Sequence, residues 1–566
     1  LSLADSFSLD SRLALLFAGF SGTESLFNSV YLYILQAGIA TSINSFRFLQ
    51  RIAEAMKLFA LSLLVCHVAA IWPAPQSFTN GSSVVWLAGD FTTSYNGCNV
   101  CFFEGISLGF TPSFYDDETK PFFKSQLYTR TGHPGSGGFS SQDIVHSAVK
   151  RAQKTIFSEN FVPWKFHLRN ELDKYEPAAW GTTKTYIKEL VITQTGTDGA
   201  STFKPLADAV DESYNLTIDT DGSASIIAVS STGVLRGLET FTQLFYSHSK
   251  RGAGVYCNLA PVKISDAPKF RHRGLNLDLS RNWFPKETVL RTIDALAWNK
   301  FNRLHIHMTD AQSWPMDIPA IPKLSLKGAY QTGLSYTPQD IQDIHTYAIY
   351  RGIEVIIEFD MPGHTSSIAF SHPELITAFR AEPWDHYCAE PPCGALKLNS
   401  TAVYDFLDTL FGDVLPRVSP YSAYFHTGGD EVNLQDFLLD ETVRSNDTAV
   451  LIPLLQKFVD HNHELLRKAG LAPIVWEEML LEWKLNLGDD VVVQTWISDE
   501  ALANVTALGH KALFGNYNYW VCLHPRGSLF LANICSTSTV ATANGSTSTM
   551  GSPSRNSTPS TTIVPH

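Results

Sequence analysis

Cysteine is scarce in this chain. Eight are scattered through 566 residues, with no paired CxxC motifs and no Cys/His cluster at zinc-ligand spacing, which argues against a structural zinc. Positive charge is also in deficit: 42 Lys and Arg face 55 Asp and Glu, a formal net charge of −13, whereas a nucleic-acid binder needs a basic face. No Gly-rich loop follows the first barrel-like strand, so a bound nucleotide has no obvious seat. No apolar run is long and clean enough to span a bilayer. What remains is a folded chain, 44% hydrophobic and 12% aromatic, too long for one ordinary core. We expect two domains plus tails, with no cofactor, no metal, no nucleic acid and no membrane span.

The two ends read differently from the middle. Met56 opens MKLFALSLLVCHVAAIWPAP, in which one Lys, an apolar run from Leu58 to Val68 and small residues at Ala69 and Ala70 follow signal-peptide order. We therefore expect 56–75 to be a signal peptide and 1–55, which contains no methionine, to be non-native upstream translation. Secretion is the expected localisation. Asn-x-Ser/Thr sequons at Asn80, Asn215, Asn399, Asn446 and Asn504 then become candidate glycan sites. Cys388 and Cys393 bracket Ala-Glu-Pro-Pro; that spacing fits a small disulfide loop in an oxidising compartment, with two free thiols as the alternative. After Tyr519-Trp520 the text becomes rich in Ser, Thr, Asn and Gly, which cannot form a core. Residues 521–566 are read as a low-complexity tail.

Between the ends, 76–265 mixes strand-like YIKELVITQ and SYNLTIDT with SASIIAVSSTGVLRGLETFTQLFYS, a strand leading into an amphipathic helix. This predicts a smaller α+β domain. From 266 to 520, apolar runs alternate with helical stretches: RGLNLDLS, FNRLHIHMTD, GIEVIIEFD, YFHTGGDE, APIVWEEM and VVVQTWIS, with candidate helices at 286–299, 339–350, 403–415, 452–468 and 499–507. Continuous apolar strands alternating with helices imply a parallel sheet covered on both faces. Polar residues gathered at the strand C-termini favour an α/β fold of the (β/α)8 barrel kind over a doubly wound sheet.

The mouth of such a barrel would collect Arg273, Asp278, Asp310, Glu358, Asp360, His364, Asp430, Glu431, Trp476, Glu477, Glu478 and Trp496. Carboxylates and tryptophans without an activated Ser or Cys suit glycoside chemistry. An oxocarbenium-like transition state needs a proton donor for the leaving oxygen and negative charge near the anomeric carbon, and indole faces suit the apolar side of a pyranose. The densest segment is HTGGDEVN at 426–433. Neighbours on a regular strand point to opposite faces, so Asp430 and Glu431 can address one ligand only if the strand ends there, which Gly428-Gly429 permits. His305-x-His307 beside Asp310 is the one spacing that resembles a zinc site; the same alternation fits two histidines in a packed layer, and we expect the packed layer.

HTGGDEVN, with HRGLNLDLSRNWFP at 272–285, EFDMPGH at 358–364 and VWEEM at 475–479, resembles glycoside hydrolase family twenty, the β-N-acetylhexosaminidases, and among them secreted fungal members. The resemblance runs from about Asp211 to Trp520. It implies exo-acting release of terminal β-linked N-acetylhexosamine by retaining, substrate-assisted catalysis. Glu431 would be the general acid, and Asp430 would hold the substrate's 2-acetamido group as it attacks the anomeric carbon. Arg273 would grip hydroxyls of the terminal sugar with Asp310 and His364 nearby. Asp360 is a weaker match and serves equally well as a partner that supports His364 from behind, and Trp476 and Trp496 would wall the acetamido pocket. The partner implied is a small-molecule N-acetylhexosaminide, and the resemblance suggests a homodimer.

Family members continue after Tyr-Trp with Tyr-Leu-Asp and later supply a further Trp and Glu; here Val521-Cys522-Leu523 follows and no later tryptophan occurs. Since Val-Cys can be encoded by a sequence of intron-donor form, we expect 521–566 to be translated intron, the last barrel strand and helix to be missing, and the literal chain to be weakly active. Two rival readings are a non-catalytic sugar-binding relative and a conventional retaining glycosidase with a protein nucleophile.

Overall fold

The computed structural model describes residues 71–100, 139–159 and 169–515. The upstream segment, the signal-like run before residue 71, Tyr519-Trp520 and the tail lie outside the described residues.

The first part is a mixed seven-stranded sheet of order β2-β1-β3-β5-β4-β7-β6, in which β1 also pairs with β7. Its strands are β1 (Ser77–Tyr95), β2 (Cys98–Asn99), β3 (Thr185–Gln194), β4 (Tyr214–Ile218), β5 (Ala224–Ala228), β6 (Tyr246–Ser247) and β7 (Val255–Asp266). In β4, Tyr214, Leu216 and Ile218 are buried while Asn215 is exposed, the period-two pattern of a strand with one core face. Helix α1 (Ser141–Ser158) and helix α2 (Ser231–Gln243) accompany the sheet. Ser230 starts α2 as an N-cap, its hydroxyl accepting the Gly233 N–H at 3.1 Å. Gly237 lets the helix lie close to the sheet, because a Cβ there would sit 2.8 Å from Ile226 Cγ2.

The second part is a parallel sheet of seven strands whose spatial order follows chain order: β8 (Gly274–Asp278), β9 (Arg303–Thr309), β10 (Glu354–Phe359), β13 (Tyr424–His426), β14 (Ala472–Trp476), β15 (Val492–Thr495) and β16 (Lys511–Phe514). The short pair β11 (Ile376–Thr377) and β12 (Ala395–Leu396) forms a separate ribbon. Between the parallel strands run α3 (Lys286–Trp298), α4 (Pro338–Ile349), α5 (Thr401–Val418), α6 (Thr448–Lys468), α7 (Glu478–Leu481) and α8 (Asp499–Ala507). A parallel sheet wound in order with helices between its strands is the architecture of a (β/α)8 barrel. Among the described residues it has seven parallel strands, with β8 and β16 at its edges.

Alternation along each strand separates two environments. Leu304, Ile306, Met308, Val355, Ile357, Phe359, Phe425, Val475 and Val493 join one large apolar core with residues of the helices, such as Val289, Ile344, Leu410 and Phe458. The opposite set, Ile356, Tyr424, Ile474, Val492 and Leu513, forms a smaller interior cluster. Residues in phase with that interior set but nearer the strand C-termini are polar: Asp278, His307, Glu358 and His426, brought side by side by the register Asp278↔His307, Glu358↔His307 and Glu358↔His426. The sheet thus sets a hydrophobic floor beneath a polar layer at its carboxyl ends.

The two parts are clamped around Glu212. Its carboxylate accepts from Arg236 Nε at 2.9 Å, Arg273 Nη1 at 3.2 Å and Nη2 at 2.6 Å, and Asn302 Nδ2 at 2.9 Å. Arg236 also donates to the Gly352 carbonyl at 3.0 Å, and Arg303 to that of Pro205 at 2.6 Å. Burial alone would raise the Glu212 carboxyl, but Arg236 and Arg273 hold it at about 2.

This clamp corrects one expectation. Arg273 precedes β8, so it lies at the amino end of the sheet, where its Nε donates to the Lys300 carbonyl and its Nη atoms to Glu212 and Phe270. Its donors are spent on the domain junction, and it stands at the end of the strand opposite the carboxylate cluster.

Candidate active site

The strand carrying the acidic pair ends at His426. Gly428 and Gly429 then take φ of 67° and 105°, a region closed to most side chains. Space demands glycine as well: a Cβ on Gly428 would lie 1.9 Å from Asp360 Oδ1 and 2.5 Å from the Asp360 Cα, and one on Gly429 would lie 2.7 Å from Met479 Cγ. Glu431 itself sits at φ 51° and His364 at φ 53°, the kind of local strain that folds retain at working sites. The chain is thereby turned so that Asp430 and Glu431 both face His364, whose Nε2 lies 3.3 Å from Glu431 Oε2 and 3.9 Å from Asp430 Oδ2.

His364 is fixed from the other side. Its Nδ1 is 3.1 Å from Asp310 Oδ1, while Asp310 Oδ2 meets His307 Nε2 at 2.7 Å and Arg281 Nη2 at 2.8 Å. Burial would pull the His364 imidazole down, but Asp310, Asp360 and Asp430 together raise it well above the ordinary histidine value. Asp310 moves the other way: burial opposes its charge, and His364, Arg281 and His307 overcome that and hold it well below the usual carboxylate range. An ionised Asp310 therefore presents an imidazolium to Glu431.

Asp360 lies under the turn. Its Oδ1 accepts the Gly429 N–H at 3.0 Å, and its carboxyl adjoins that of Asp430. Burial, with Asp430 alongside, pushes Asp360 well above the normal range; burial raises Asp430 as well. Two carboxyls this close cannot both ionise, so Asp360 keeps the proton and Asp430 stays the anion.

The aromatic side is built on β14 and β15. Trp476 is buried and donates Nε1–H to Glu358 at 2.7 Å; Trp496 is half-buried and donates to Glu478 at 3.0 Å. Burial, with Asp430 nearby, pushes Glu478 up to about 8, so this carboxyl stays largely neutral beside Asp430. Glu477 accepts the backbone N–H of Ile497 at 2.7 Å and serves the loop after β15.

The disulfide Cys388–Cys393 is present, and the loop it closes packs on the mouth: Gln312 donates to the carbonyl of Pro391 and Glu390 pairs with Arg281, while Asn433 donates to the carbonyl of His386 just before the loop. Arg281 follows β8 at its carboxyl end, with Nη1 3.0 Å from Asp278 Oδ2. Sequence reasoning passed over it, although its place three residues beyond a barrel strand was legible.

Asp430, Glu431, His364, Trp476 and Trp496 are brought together at the carboxyl ends of the strands. Asp310 and Asp360 are present too, but 0% and 1% exposed. Asp310 was expected among the sugar-binding residues, and Asp360 either there or as a partner of His364. Their oxygens face His307, His364, Arg281 and the Gly429 turn, because their register buries them one layer below the opening; this corrects the first expectation and fits the second reading of Asp360. The His305-x-His307 pair lies in a packed layer, His307 between Glu358 and Asp310 and His305 against Glu358. His305, Glu358 and His426 lie close enough to hold an ion, but His426 Nδ1 accepts the Gly428 N–H at 2.9 Å, which removes the lone pair a metal would need.

Two family profiles match the chain: "Glycosyl hydrolase family 20, catalytic domain" over residues 270–553 and "beta-acetyl hexosaminidase like" over residues 71–244. A β-hexosaminidase of the fungus Arthroderma benhamiae is 39% identical over 80% of this chain and 76% of its own length. The human β-hexosaminidase subunit beta is 33% identical over 67% of this chain and 65% of its own. Among solved structures, the Flavobacterium johnsoniae chitobiase superposes with a TM-score of 0.59 at 25% identity, over 80% of this chain and 59% of that one. The chain thus spans three quarters of the fungal relative and under two thirds of several others. With the profile over its carboxyl-terminal half and the fungal relative over most of its length, the chain belongs to glycosyl hydrolase family 20.

Proposed function

We propose that the protein is an exo-β-N-acetylhexosaminidase that removes terminal β-linked N-acetylhexosamine from chito-oligosaccharides or glycans, with the substrate's own acetamido group as nucleophile. The observation that carries this reading is the turn at Gly428-Gly429, which aims an anionic Asp430 and an imidazolium-paired Glu431 at one opening beside two indoles.

In this reading the acetamido group lies between Trp476 and Trp496, with its N–H on Asp430. Its carbonyl oxygen attacks the anomeric carbon as Glu431 gives a proton to the departing glycosidic oxygen, leaving an oxazolinium ion. Asp430 stabilises the positive charge that develops on the N–H. Glu431, now a base, takes a proton from water; the water oxygen opens the ring at the anomeric carbon and restores the acetamido group with overall retention. His364 holds Glu431 in line. Gripping of sugar hydroxyls falls to Arg281, which stands at the mouth, rather than to Arg273.

Secretion belongs to the same proposal, supported by the signal-like segment 56–75 and by the exposure of the sequon asparagines Asn80, Asn215, Asn399, Asn446 and Asn504. Among the described residues no helix is long and apolar enough to cross a membrane. A homodimer follows from the family resemblance, and sedimentation of the purified chain tests it.

Kinetics of two variants test the assignment. Glu431→Gln removes the transferable proton and abolishes turnover of substrates with poor leaving groups. Asp430→Asn loses both turnover and affinity for oxazoline-like inhibitors. An Asp430→Asn enzyme that bound such inhibitors as tightly as the parent would refute its role.

A further inference from the structure

Glu358 is a fully enclosed carboxylate near the site, and the reaction as described does not use it. It is 0% exposed on β10, with its neighbours fixed by strand register. Its Oε1 accepts the Trp476 Nε1–H at 2.7 Å, and its Oε2 lies 2.9 Å from His307 Nδ1 and 2.7 Å from His305 Nε2. The third histidine, His426, stacks on His305 with ring centroids 4.9 Å apart. Its Nδ1 is 3.4 Å from Glu358 but accepts the Gly428 N–H, so it offers Glu358 no proton.

From Glu358 the contacts run without interruption. His307 Nε2 meets Asp310 at 2.7 Å, Asp310 meets His364 Nδ1 at 3.1 Å, and His364 Nε2 meets Glu431 at 3.3 Å. Chemistry gives each link one direction. An indole N–H only donates, a carboxylate only accepts, and an imidazolium donates from both nitrogens. The series therefore reads indole, anion, imidazolium, anion, imidazolium, acid. Such a buried network has a low tolerance for a missing member.

We propose that Glu358 is a positioning residue that locks the Trp476 indole and the Glu431 acid to one another through this one series of hydrogen bonds, closed at its end by the His364–Glu431 ion pair. The inference rests on the reading in which Trp476 walls the acetamido pocket and Glu431 protonates the leaving group. Its consequence is that the nucleophile's wall and the acid are held in register as one unit: an acetamido group seated on Trp476 meets an acid already aligned. The charge on Glu358 is what keeps the chain closed. Burial lowers His307, and Glu358 with Asp310 restores it to well above the ordinary value. Without that anion, His307 becomes a neutral imidazole with one N–H. It can then serve Glu358 or Asp310 but not both, and the chain opens in the middle.

The test uses the full chain and two conservative variants. Glu358→Gln keeps the shape and an acceptor for Trp476 but removes the charge; Trp476→Phe keeps a ring in the wall but removes the N–H. Each is assayed on phenyl and dinitrophenyl β-N-acetylglucosaminides, of which only the phenyl leaving group needs a well-placed acid. Both variants should lose about 10- to 100-fold more kcat/KM on the phenyl glycoside than on the dinitrophenyl one, within the 10²–10⁴ that a positioned acid contributes. The double variant should lose no more than the worse single one. Equal losses on both glycosides, or additive losses in the double variant, would overturn the proposal. A second measurement needs no turnover: imidazole 15N resonances of the parent should show His307 and His364 doubly protonated at neutral pH, and Trp476→Phe should shift both. If they do not move, the chain is not coupled, even where Glu358→Gln fails to fold. Absence of any hexosaminidase turnover in the parent would count against the functional reading instead, and the resonances would still decide the coupling.

Discussion

Replacing Glu212 with Gln should loosen the junction between the α+β sheet and the barrel while leaving the active site alone. The parent carboxylate collects hydrogen bonds from Arg236, Arg273 and Asn302, and the arginines outweigh burial to hold it at about 2, against 4.5 when unperturbed. At about 1.4 kcal/mol per tenfold change in proton affinity, that difference amounts to about 3 kcal/mol of stability at neutral pH. The sign follows from the depressed value. The contribution is fully present above pH 4.5, where the unfolded carboxyl ionises, and is lost as pH falls towards 2. Gln also strands two buried guanidinium charges, which typically costs about 3–5 kcal/mol. Urea unfolding at pH 7 should therefore place the variant lower by that order, and the gap should narrow when both proteins are compared at pH 3. KM per folded molecule should not change. Equal stability at pH 7, or a raised KM with stability intact, would refute the reasoning.

Four further expectations concern other parts of the molecule. Arg281→Met should raise KM at least tenfold per folded molecule, and because it strands the buried Asp310 carboxylate it should cost stability as well. Arg273→Met should lower the unfolding midpoint with KM unchanged, and a raised KM in Arg273→Met alone would return the sugar-gripping role to Arg273. Gly428→Ala must place a Cβ against the Asp360 backbone at 2.5 Å with φ of 67°, a combination costing about 2–5 kcal/mol from left-handed strain and overpacking; activity should fall more than 100-fold, as kinetics and denaturation on one preparation would reveal. The acid limb of the kcat profile should lie above the ordinary aspartate range, because burial raises Asp430 and catalysis needs its anion; a profile flat down to pH 3 would speak against this. Asp436, buried with Oδ1 unpartnered and pushed up to about 8, stays protonated folded but ionises unfolded, so it erodes stability as pH rises from about 4 to 8. Asp436→Asn should accordingly be more stable than the parent at pH 7 by about 2–4 kcal/mol, and indistinguishable from it near pH 4.

Much of this was legible in the sequence because period and punctuation carried it. The expected helices at 286–299, 339–350, 403–415, 452–468 and 499–507 correspond to α3, α4, α5, α6 and α8 within a few residues. The apolar runs became strands, since a strand buried on both faces must be apolar throughout. Strand β16 (Lys511–Phe514) escaped notice: KALF is four residues long, too short for its period to show. The acidic turn was readable because Gly428-Gly429 has few physical uses other than a sharp break. The two arginines of HRGLNLDLSRNWFP were harder to separate. Arg273 and Arg281 flank the same five-residue strand, and only strand direction tells the mouth from the floor; that rule favours Arg281. The burial of Asp310 and Asp360 depended on register between β9, β10 and β13, which pairing across the sheet determines and local sequence does not. The buried series through Glu358 and His307 was hidden for the same reason.

The most direct test of the account is to give the purified protein two chromogenic substrates with the same leaving group, a β-N-acetylglucosaminide and the matching β-glucoside. If the acetamido group is the nucleophile that Asp430 holds, the first is hydrolysed and the second is not, because the glucoside has nothing to attack its anomeric carbon. Comparable cleavage of both would show a nucleophile supplied by the protein, and binding of the acetamido sugar without cleavage would show a site that holds its ligand but performs no hydrolysis; either result contradicts the mechanism.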